Sequence, residues 1–250
     1  MSDPATGEPA LLLHETVDIT GQGAWLYMEH TRDAAGDEKV SFELQGTWYV
    51  MGITGRWPQV VNLWDIPGGW EGWLEAVDRL NLARPANQAL DEWWKTAYEM
   101  RSGGVDRLLA AAPGCPTTEE LESNLVTGTL FVHERARCRP GAALDYLAAV
   151  LDERSPLLGG YGQQLTGLYE VLLTDDQVVT VWATTPEEHV RLTRAELLAR
   201  RVPHAPEADD RLARWRATAS GFLVERREEL MTPCPGTRLG PPLPTAANPA

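Results

Sequence analysis

The chain is built from two copies of one unit, because a stretch near its start recurs about half a chain later. The segment LLLHE at residues 11–15 is matched by LFVHE at residues 130–134, an offset of 119 residues. The segment VVNLW at 60–64 is matched by VVTVW at 178–182, an offset of 118 residues. Shorter matches at similar offsets are Gly23-Ala24 with Gly141-Ala142 and Leu44-Gln45-Gly46 with Leu165-Thr166-Gly167. An offset that persists over so many blocks indicates an internal duplication.

The duplication divides the 250 residues into two units of about 120 residues, each long enough to bury its own core. Apolar periodicity predicts the order β-α-β-β-α-(α)-β in each unit. This is the order of a ferredoxin-like unit. The predicted boundaries are a flexible leader at 1–10, a first unit at 11–116, a linker at 117–128, a second unit at 129–234 and a disordered tail at 235–250.

Composition excludes several classes of partner. The formal charge of −14 argues against nucleic acid, whose binding depends on clusters of Lys and Arg. Three cysteines without a CxxC spacing argue against a disulfide framework and predict a reducing cytoplasm. No apolar run approaches the roughly 20 residues that span a bilayer, so we expect no membrane insertion.

The first strand of each unit alternates between two faces. Leu13, Glu15, Val17 and Ile19 fall on one face in the first copy, and Leu12, His14, Thr16 and Asp18 on the other. In the second copy His133 shares its face with Arg135 and Arg137, and Glu134 lies on the opposite face. Neither His-Glu pair can therefore act as one acid–base couple without a partner from another strand.

Three features of the sequence point to a known family: the first strand with Pro140-Gly141, the Val60-Val61-x-x-Trp64 and Val178-Val179-x-x-Trp182 strands, and the Asp91-Glu92-Trp93 helix. In these features the sequence resembles the NIPSNAP family of the dimeric α/β-barrel superfamily. The resemblance implies an α+β fold in which two tandem ferredoxin-like domains form an intrachain pseudo-dimeric α/β barrel. It also implies cavities between each sheet and its helices, where small hydrophobic ligands bind.

The candidate catalytic residues are His133, Arg135 and His14. An imidazole titrates near neutrality and is suited to moving a proton inside a cavity. Arg135 and Arg137 can share the face of His133 and stabilise an enolate or carboxylate. The alternative is that each His bonds within a polar barrel interface and that each Glu pairs with an arginine such as Arg135 or Arg137.

Candidate substrate-binding residues lie on the tryptophan-ended strands. Asn62 with Trp64, and Thr180 with Trp182, should each share one strand face and could form an aromatic wall with a polar anchor. Arg137 is the fifth candidate, through its charge. Packing of the tryptophans in the core is the alternative reading.

No cofactor or metal is predicted. The five histidines show no HxH, HxxxH or HExxH spacing, and no glycine-rich phosphate loop is complete. Some barrel relatives use haem, yet no residue identifies itself as an axial ligand.

Two functions remain open at this stage. The first is a cofactor-independent acid–base enzyme, of cyclase, isomerase or oxygenase type, that acts on an apolar or aromatic carbonyl metabolite. The second is a non-catalytic, NIPSNAP-like ligand-binding or scaffold protein. Because the duplication supplies the pairing that relatives gain by dimerising, we expect a monomer or a dimer through outer helices.

Overall fold

The computed structural model describes residues 8–35, 42–82, 88–203 and 205–243. The strands are β1 (Leu11–Ile19), β2 (Glu43–Val50), β3 (Gln59–Ile66), β4 (Arg101–Ala111), β5 (Leu130–Cys138), β6 (Gln164–Val171), β7 (Gln177–Thr184) and β8 (Leu223–Pro233). The helices are α1 (Ala24–Ala34), α2 (Gly69–Val77), α3 (Gln88–Met100), α4 (Thr118–Ser123), α5 (Ala143–Ala149), α6 (Ser155–Gly159), α7 (Pro186–Arg201) and α8 (Asp210–Phe222).

The eight strands form one closed barrel in the order β1-β3-β2-β8-β5-β7-β6-β4. Each unit contributes a four-stranded antiparallel sheet, and the two sheets join through β2–β8 and β4–β6. Full closure pairs the edge strands that an isolated unit would leave exposed. The predicted α+β class, with two ferredoxin-like units closing one barrel within a single chain, is confirmed.

The two units match in register as well as in strand order. His14 lies opposite Leu63 on β3, and His133 lies opposite Val181 on β7. The register of β2 shifts between Leu44 and Gly46, and that of β6 shifts between Leu165 and Gly167. A Cβ at Gly46 would collide with the ring of Trp48, and one at Gly167 with the ring of Tyr169. The repeated glycine therefore marks a bulge that both sheets need.

Local sequence signals set the ends of the later helices. Thr185 caps α7 by accepting from the backbone N–H of Glu188, and Pro186 occupies the first turn. Asp209 caps α8 by accepting from the backbone N–H of Arg211. These helices hold Leu192, Leu212 and Trp215 against the outer face of the second sheet.

The core differs between the two units. The second unit belongs to one continuous apolar cluster that includes Tyr146, Trp182 and Trp215. Among the described residues, the core on the helix side of the first sheet divides into two clusters, one around Tyr27 and the other around Trp64.

The segments flanking the second unit are more ordered than the sequence predicts. The predicted linker at 117–128 contains α4, whose capping box joins Thr117 and Glu120. Within the predicted tail, residues 235–243 lie against the barrel, where Leu239 is buried and its N–H donates to the carbonyl of Gln45. Residues 1–7 of the predicted leader and 244–250 of the tail lie outside the described residues.

Candidate functional site

The two histidines of the duplicated strands meet inside the barrel. His14 Nε2 lies 3.0 Å from His133 Nε2, and both side chains are fully buried. His133 Nδ1 lies 3.5 Å from Glu229 Oε2, and Arg135 donates to the other oxygen of Glu229 at 3.1 Å. Burial, together with the nearby charges of Arg107 and Arg135, lowers the pKa of both imidazoles. The pair is therefore neutral at pH 7, with one ring donating to the other.

The opposite face of β1 carries Glu15, which lies between the first sheet and its helices. Asn62 Nδ2 donates to Glu15 Oε2 at 3.0 Å, and Trp64 Nε1 donates to the same oxygen at 2.8 Å. Thr47 Oγ1 donates to Asn62 Oδ1 at 2.6 Å, which turns the amide N–H₂ toward Glu15. Among the described residues, none donates a hydrogen bond to Glu15 Oε1.

The electrostatic setting of Glu15 favours the protonated form. Within the described part of the chain, no Lys, Arg or His lies within ion-pair distance of its carboxylate. Burial raises the pKa of Glu15 and the charge of Asp106 raises it further, although the bonds from Asn62 and Trp64 act in the other direction. A buried carboxyl group of this kind can accept or donate a proton nearer to neutral pH than an exposed one.

The equivalent residue in the second unit, Glu134, has the opposite setting. It accepts from Tyr146 Oη at 2.7 Å, Arg154 Nη1 at 2.7 Å and Arg226 Nε at 2.5 Å. Burial alone would raise the pKa of Glu134, but Arg154 and Arg226 outweigh it and lower the pKa to about 2. Glu134 is thus ionised at neutral pH, as the buried centre of an ion cluster that extends to the partly exposed Glu228.

Backbone register explains why the first unit lacks this cluster. Gly104 lies opposite Val17 on β1, and Arg226 lies opposite Ala136 at the corresponding position on β5. A Cβ at Gly104 would collide with the backbone carbonyl of Thr16. The first unit therefore has no room for a side chain, cationic or otherwise, where the second places an arginine.

The tryptophans also serve different purposes in the two units. Trp182 Nε1 donates to Thr180 Oγ1 at 2.8 Å, and the guanidinium of Arg154 lies 5.0 Å from the centre of the indole ring. Trp64 instead donates to Glu15. Side chains of the second unit bury Glu134 completely, whereas Glu15 remains 9% exposed to solvent.

The structure brings the sequence-predicted residues together in three separate places. His14, His133 and Arg135 meet within the barrel, while Arg137 is exposed at one of its ends. Asn62 and Trp64 meet at Glu15, as their shared strand face predicts. Thr180 and Trp182 bond to each other. No catalytic or binding role is tested by these placements, so those roles stay predictions.

Several residues of these sites were missed from the sequence. Glu134 pairs with Arg154 and Arg226, not with Arg135 or Arg137, because side chains on its face point toward the helices. Tyr27, whose Oη accepts from Asn62 Nδ2 at 3.4 Å, and Tyr146 have a signal in the sequence, because they also lie 119 residues apart. The sequence marks Glu15 only as the one acid on an otherwise apolar strand face, a pattern that is typical of a buried carboxyl group.

The described residues contain no group of three His, Cys, Asp or Glu side chains that could hold a metal ion. Within the same residues, no helix has both the length and the apolar character needed to cross a membrane.

Comparison with known proteins identifies the architecture. An anthrone oxidase-like protein is 8% identical over 91% of this chain and 92% of its own, with a TM-score of 0.57. A proposed monooxygenase from Lactobacillus acidophilus is 9% identical over 90% of this chain and 94% of its own, with a TM-score of 0.55. The fold is the dimeric α/β barrel, with one chain supplying both halves.

A NIPSNAP family protein from Agrobacterium tumefaciens is also among the similar structures. It is 21% identical over 45% of this chain and 92% of its own, with a TM-score of 0.33. No family model matches the sequence, and no curated protein matches it significantly.

Proposed function

We propose that the protein is a cofactor-independent acid–base enzyme whose base is Glu15. Its substrate is a small, largely apolar and aromatic metabolite with a carbonyl group. The observation that carries this proposal is the contrast between two equivalent buried acids. Glu134 is neutralised by two arginines, whereas Glu15 is held by two neutral donors and keeps one oxygen without a donor among the described residues.

The contacts of Glu15 suit proton abstraction from a carbon acid. Asn62 and Trp64 hold Oε2 and so orient Oε1, which accepts the proton as the C–H bond next to the carbonyl breaks. The electron pair of that bond moves to the carbonyl oxygen and gives an enolate. Desolvation makes the carboxylate a stronger base than it would be in water.

Arg101 is the proposed partner of the enolate oxygen. Its guanidinium stacks 4.6 Å from the centre of the Trp94 ring, and its buried Nη1 has no hydrogen-bond partner within the described residues. Its charge also acts on Glu15, since it lowers the pKa of that carboxyl group. A fixed donor in a site of low polarity stabilises a developing oxyanion.

Aromatic side chains of the first unit support an aromatic substrate for the proposed base. Partly buried tryptophans border the two separate clusters of the first core, Trp93 on one side and Trp73 on the other. Aromatic side chains of this kind bind flat apolar ligands. The anthrone oxidase-like neighbour adds support, because anthrone is an aromatic ketone with an acidic methylene group. Cyclisation, isomerisation and oxygenation of such ketones can each begin with the same proton removal.

The His14–His133 pair is a second candidate centre for the same chemistry. The two Nε2 atoms lie 3.0 Å apart, so a proton can pass from one ring to the other. Glu229 contacts both His133 and Arg135, and so links the pair to the end of the barrel. A His14→Gln variant that retains full turnover, beside an inactive Glu15→Gln variant, would exclude this centre.

The test is hydrogen–deuterium exchange at the acidic carbon of a panel of aromatic ketones, including anthrone. Loss of the C–H signal in D₂O is followed by proton NMR and compared with the rate in buffer alone. We expect the protein to accelerate exchange for at least one ketone and Glu15→Gln to abolish the acceleration. The matched control is Tyr146→Phe, which alters the equivalent site of the second unit and should leave exchange unchanged.

The non-catalytic alternative gives a different result in the same assay. A ligand-binding protein would bind a ketone, as shown by line broadening, yet would not accelerate exchange in the wild type. Equal acceleration by wild type and Glu15→Gln would reject Glu15 as the base.

A further inference from the structure

One end of the barrel opens into an arginine-rich cleft. The cleft has a volume of about 240 Å³ and is lined by four arginines and one carboxylate, that of Glu225. The arginines, hereafter the arginine mouth, are Arg107, Arg135, Arg137 and Arg227. They form a basic patch on a protein with a formal charge of −14.

Register places these arginines on the face of the sheet that carries the histidine pair. Arg107 of β4 lies opposite His14, and Arg227 of β8 lies opposite Arg135 of β5. Arg107 comes from the first unit and the other three from the second. The site is therefore formed only when the two halves of the barrel close.

The charges of the arginine mouth are poorly compensated. In the described part of the chain, no carboxylate lies within ion-pair distance of Arg107, Arg137 or Arg227. Arg135 pairs with Glu229 through Nη2, but its Nε is buried and has no partner among those residues. Burial is the main cause that lowers the pKa of Arg107, and the like charge of Arg135 lowers it further, while the charges of Asp106 and Glu229 act in the other direction.

Repulsion of this kind is relieved by a bound anion. A guanidinium group presents a planar fork of donors that matches the paired oxygens of a carboxylate or a phosphate. Several forks that converge on one cleft favour a ligand with more than one negative charge.

We propose that the arginine mouth binds a small oxyanion that carries two or more negative charges, either a phosphate compound or a di- or tricarboxylate. The site is separate from Glu15, which lies on the opposite face of the same barrel wall. The inference therefore does not rest on the proposed proton transfer.

The test is isothermal titration calorimetry of the full chain with pyrophosphate, citrate and acetate, at an ionic strength held constant with sodium chloride. We expect pyrophosphate or citrate to bind and acetate to bind much more weakly. Binding of pyrophosphate alone assigns a phosphate ligand, and binding of citrate alone assigns a polycarboxylate. Two results would overturn the proposal. One is acetate binding as tightly as pyrophosphate and citrate, and the other is that none of the three anions binds.

Variants locate the binding. Arg137 and Arg227 are exposed, so replacing both with Gln should leave the fold intact. The loss of their charge-assisted bonds should weaken binding at least about tenfold. Arg194→Gln/Arg200→Gln removes two exposed arginines from the outer helix α7 and serves as the matched control. Equal weakening by this control would show a general charge effect and would contradict the proposed site.

Discussion

Glu15 and Glu134 occupy equivalent positions on the first strands of the two units, yet only Glu134 is neutralised by arginines. Glu15 lies opposite Asn62, and Glu134 lies opposite Thr180 at the same register position. The difference arises from neighbouring strands and helices and not from the two acids themselves. Divergence after duplication has left one acid as part of the framework and the other in a setting suited to proton transfer.

Replacement of Glu134 should strongly destabilise the protein. Glu134→Gln leaves the buried charge of Arg154 and the partly exposed charge of Arg226 with Glu228 as their remaining acid, which should cost about 3 kcal/mol of unfolding free energy. Urea unfolding at pH 7 measures the effect. Because the folded pKa is lowered to about 2, the stability due to this carboxylate is present above its ordinary pKa and is lost as the pH falls toward 2. A variant as stable as the wild type at pH 7 would contradict the ion cluster.

Replacement of Glu15 should have the opposite effect. Because the pKa of Glu15 is raised in the folded protein, the folded carboxyl group is still protonated at pH values where the unfolded chain has lost that proton. The free energy of unfolding therefore falls as the pH rises above the ordinary pKa of a glutamate. Glu15→Gln removes that penalty and should be more stable than the wild type at pH 8. The gain should vanish at about pH 4, near the ordinary pKa of a glutamate. A variant less stable than the wild type at pH 8 would show that Glu15 is stabilised as a carboxylate.

Much of the fold could be predicted from the sequence, because its signals are periodic and duplicated. Matched strands, bulge glycines and tryptophans need only a repeated pattern to be recognised. The candidate site depends instead on how the two copies differ. One such difference is Gly104, which stands where the second unit has Arg226, and another is the ion pair of Arg154 with Glu134. Neither can be recognised until register and side-chain direction are known.

The histidine pair should make the barrel sensitive to acid. Both folded imidazoles have a lowered pKa, so the unfolded chain binds protons that the folded chain does not, and stability is lost as the pH falls below about 6.5. The groups that face the pair are Arg107, Arg135 and Glu229; the two arginines oppose its protonation and Glu229 favours it.

The measurement is urea unfolding at pH 7.5, 6.5 and 5.5 for the wild type and a His14→Gln/His133→Gln double variant. Each imidazole contributes at most about 1.4 kcal/mol per pH unit. The wild type should lose more stability than the double variant between pH 6.5 and 5.5. Parallel loss in both proteins would place the acid sensitivity elsewhere.

The closed barrel also predicts the state of assembly. Both sheet edges are paired within the chain, through β2–β8 and β4–β6, so none of the eight described strands has an edge free for a partner. Light scattering should give the 27.6 kDa mass of a monomer or that of a dimer through outer helices. For a dimer, hydrogen exchange should show protection gained on the helices; protection gained on the strands would contradict this arrangement.

Thr47 should act as a positioning residue for the proposed base. Its hydroxyl donates to Asn62 Oδ1 at 2.6 Å and so fixes the amide that donates to Glu15. Thr47→Val removes this constraint, and exchange at the substrate carbon should slow about tenfold, the equivalent of one hydrogen bond. Because the donation from Asn62 lowers the pKa of Glu15, its loss should also move the pH profile of exchange to higher pH. The second unit has Leu168 at the position of Thr47, so the control is Thr166, a buried threonine of the same strand that donates to the carbonyl of Val181 at 3.0 Å. Thr166→Val should cost similar stability and leave both the rate and the pH profile unchanged, whereas equal effects of the two variants would reduce Thr47 to a structural role.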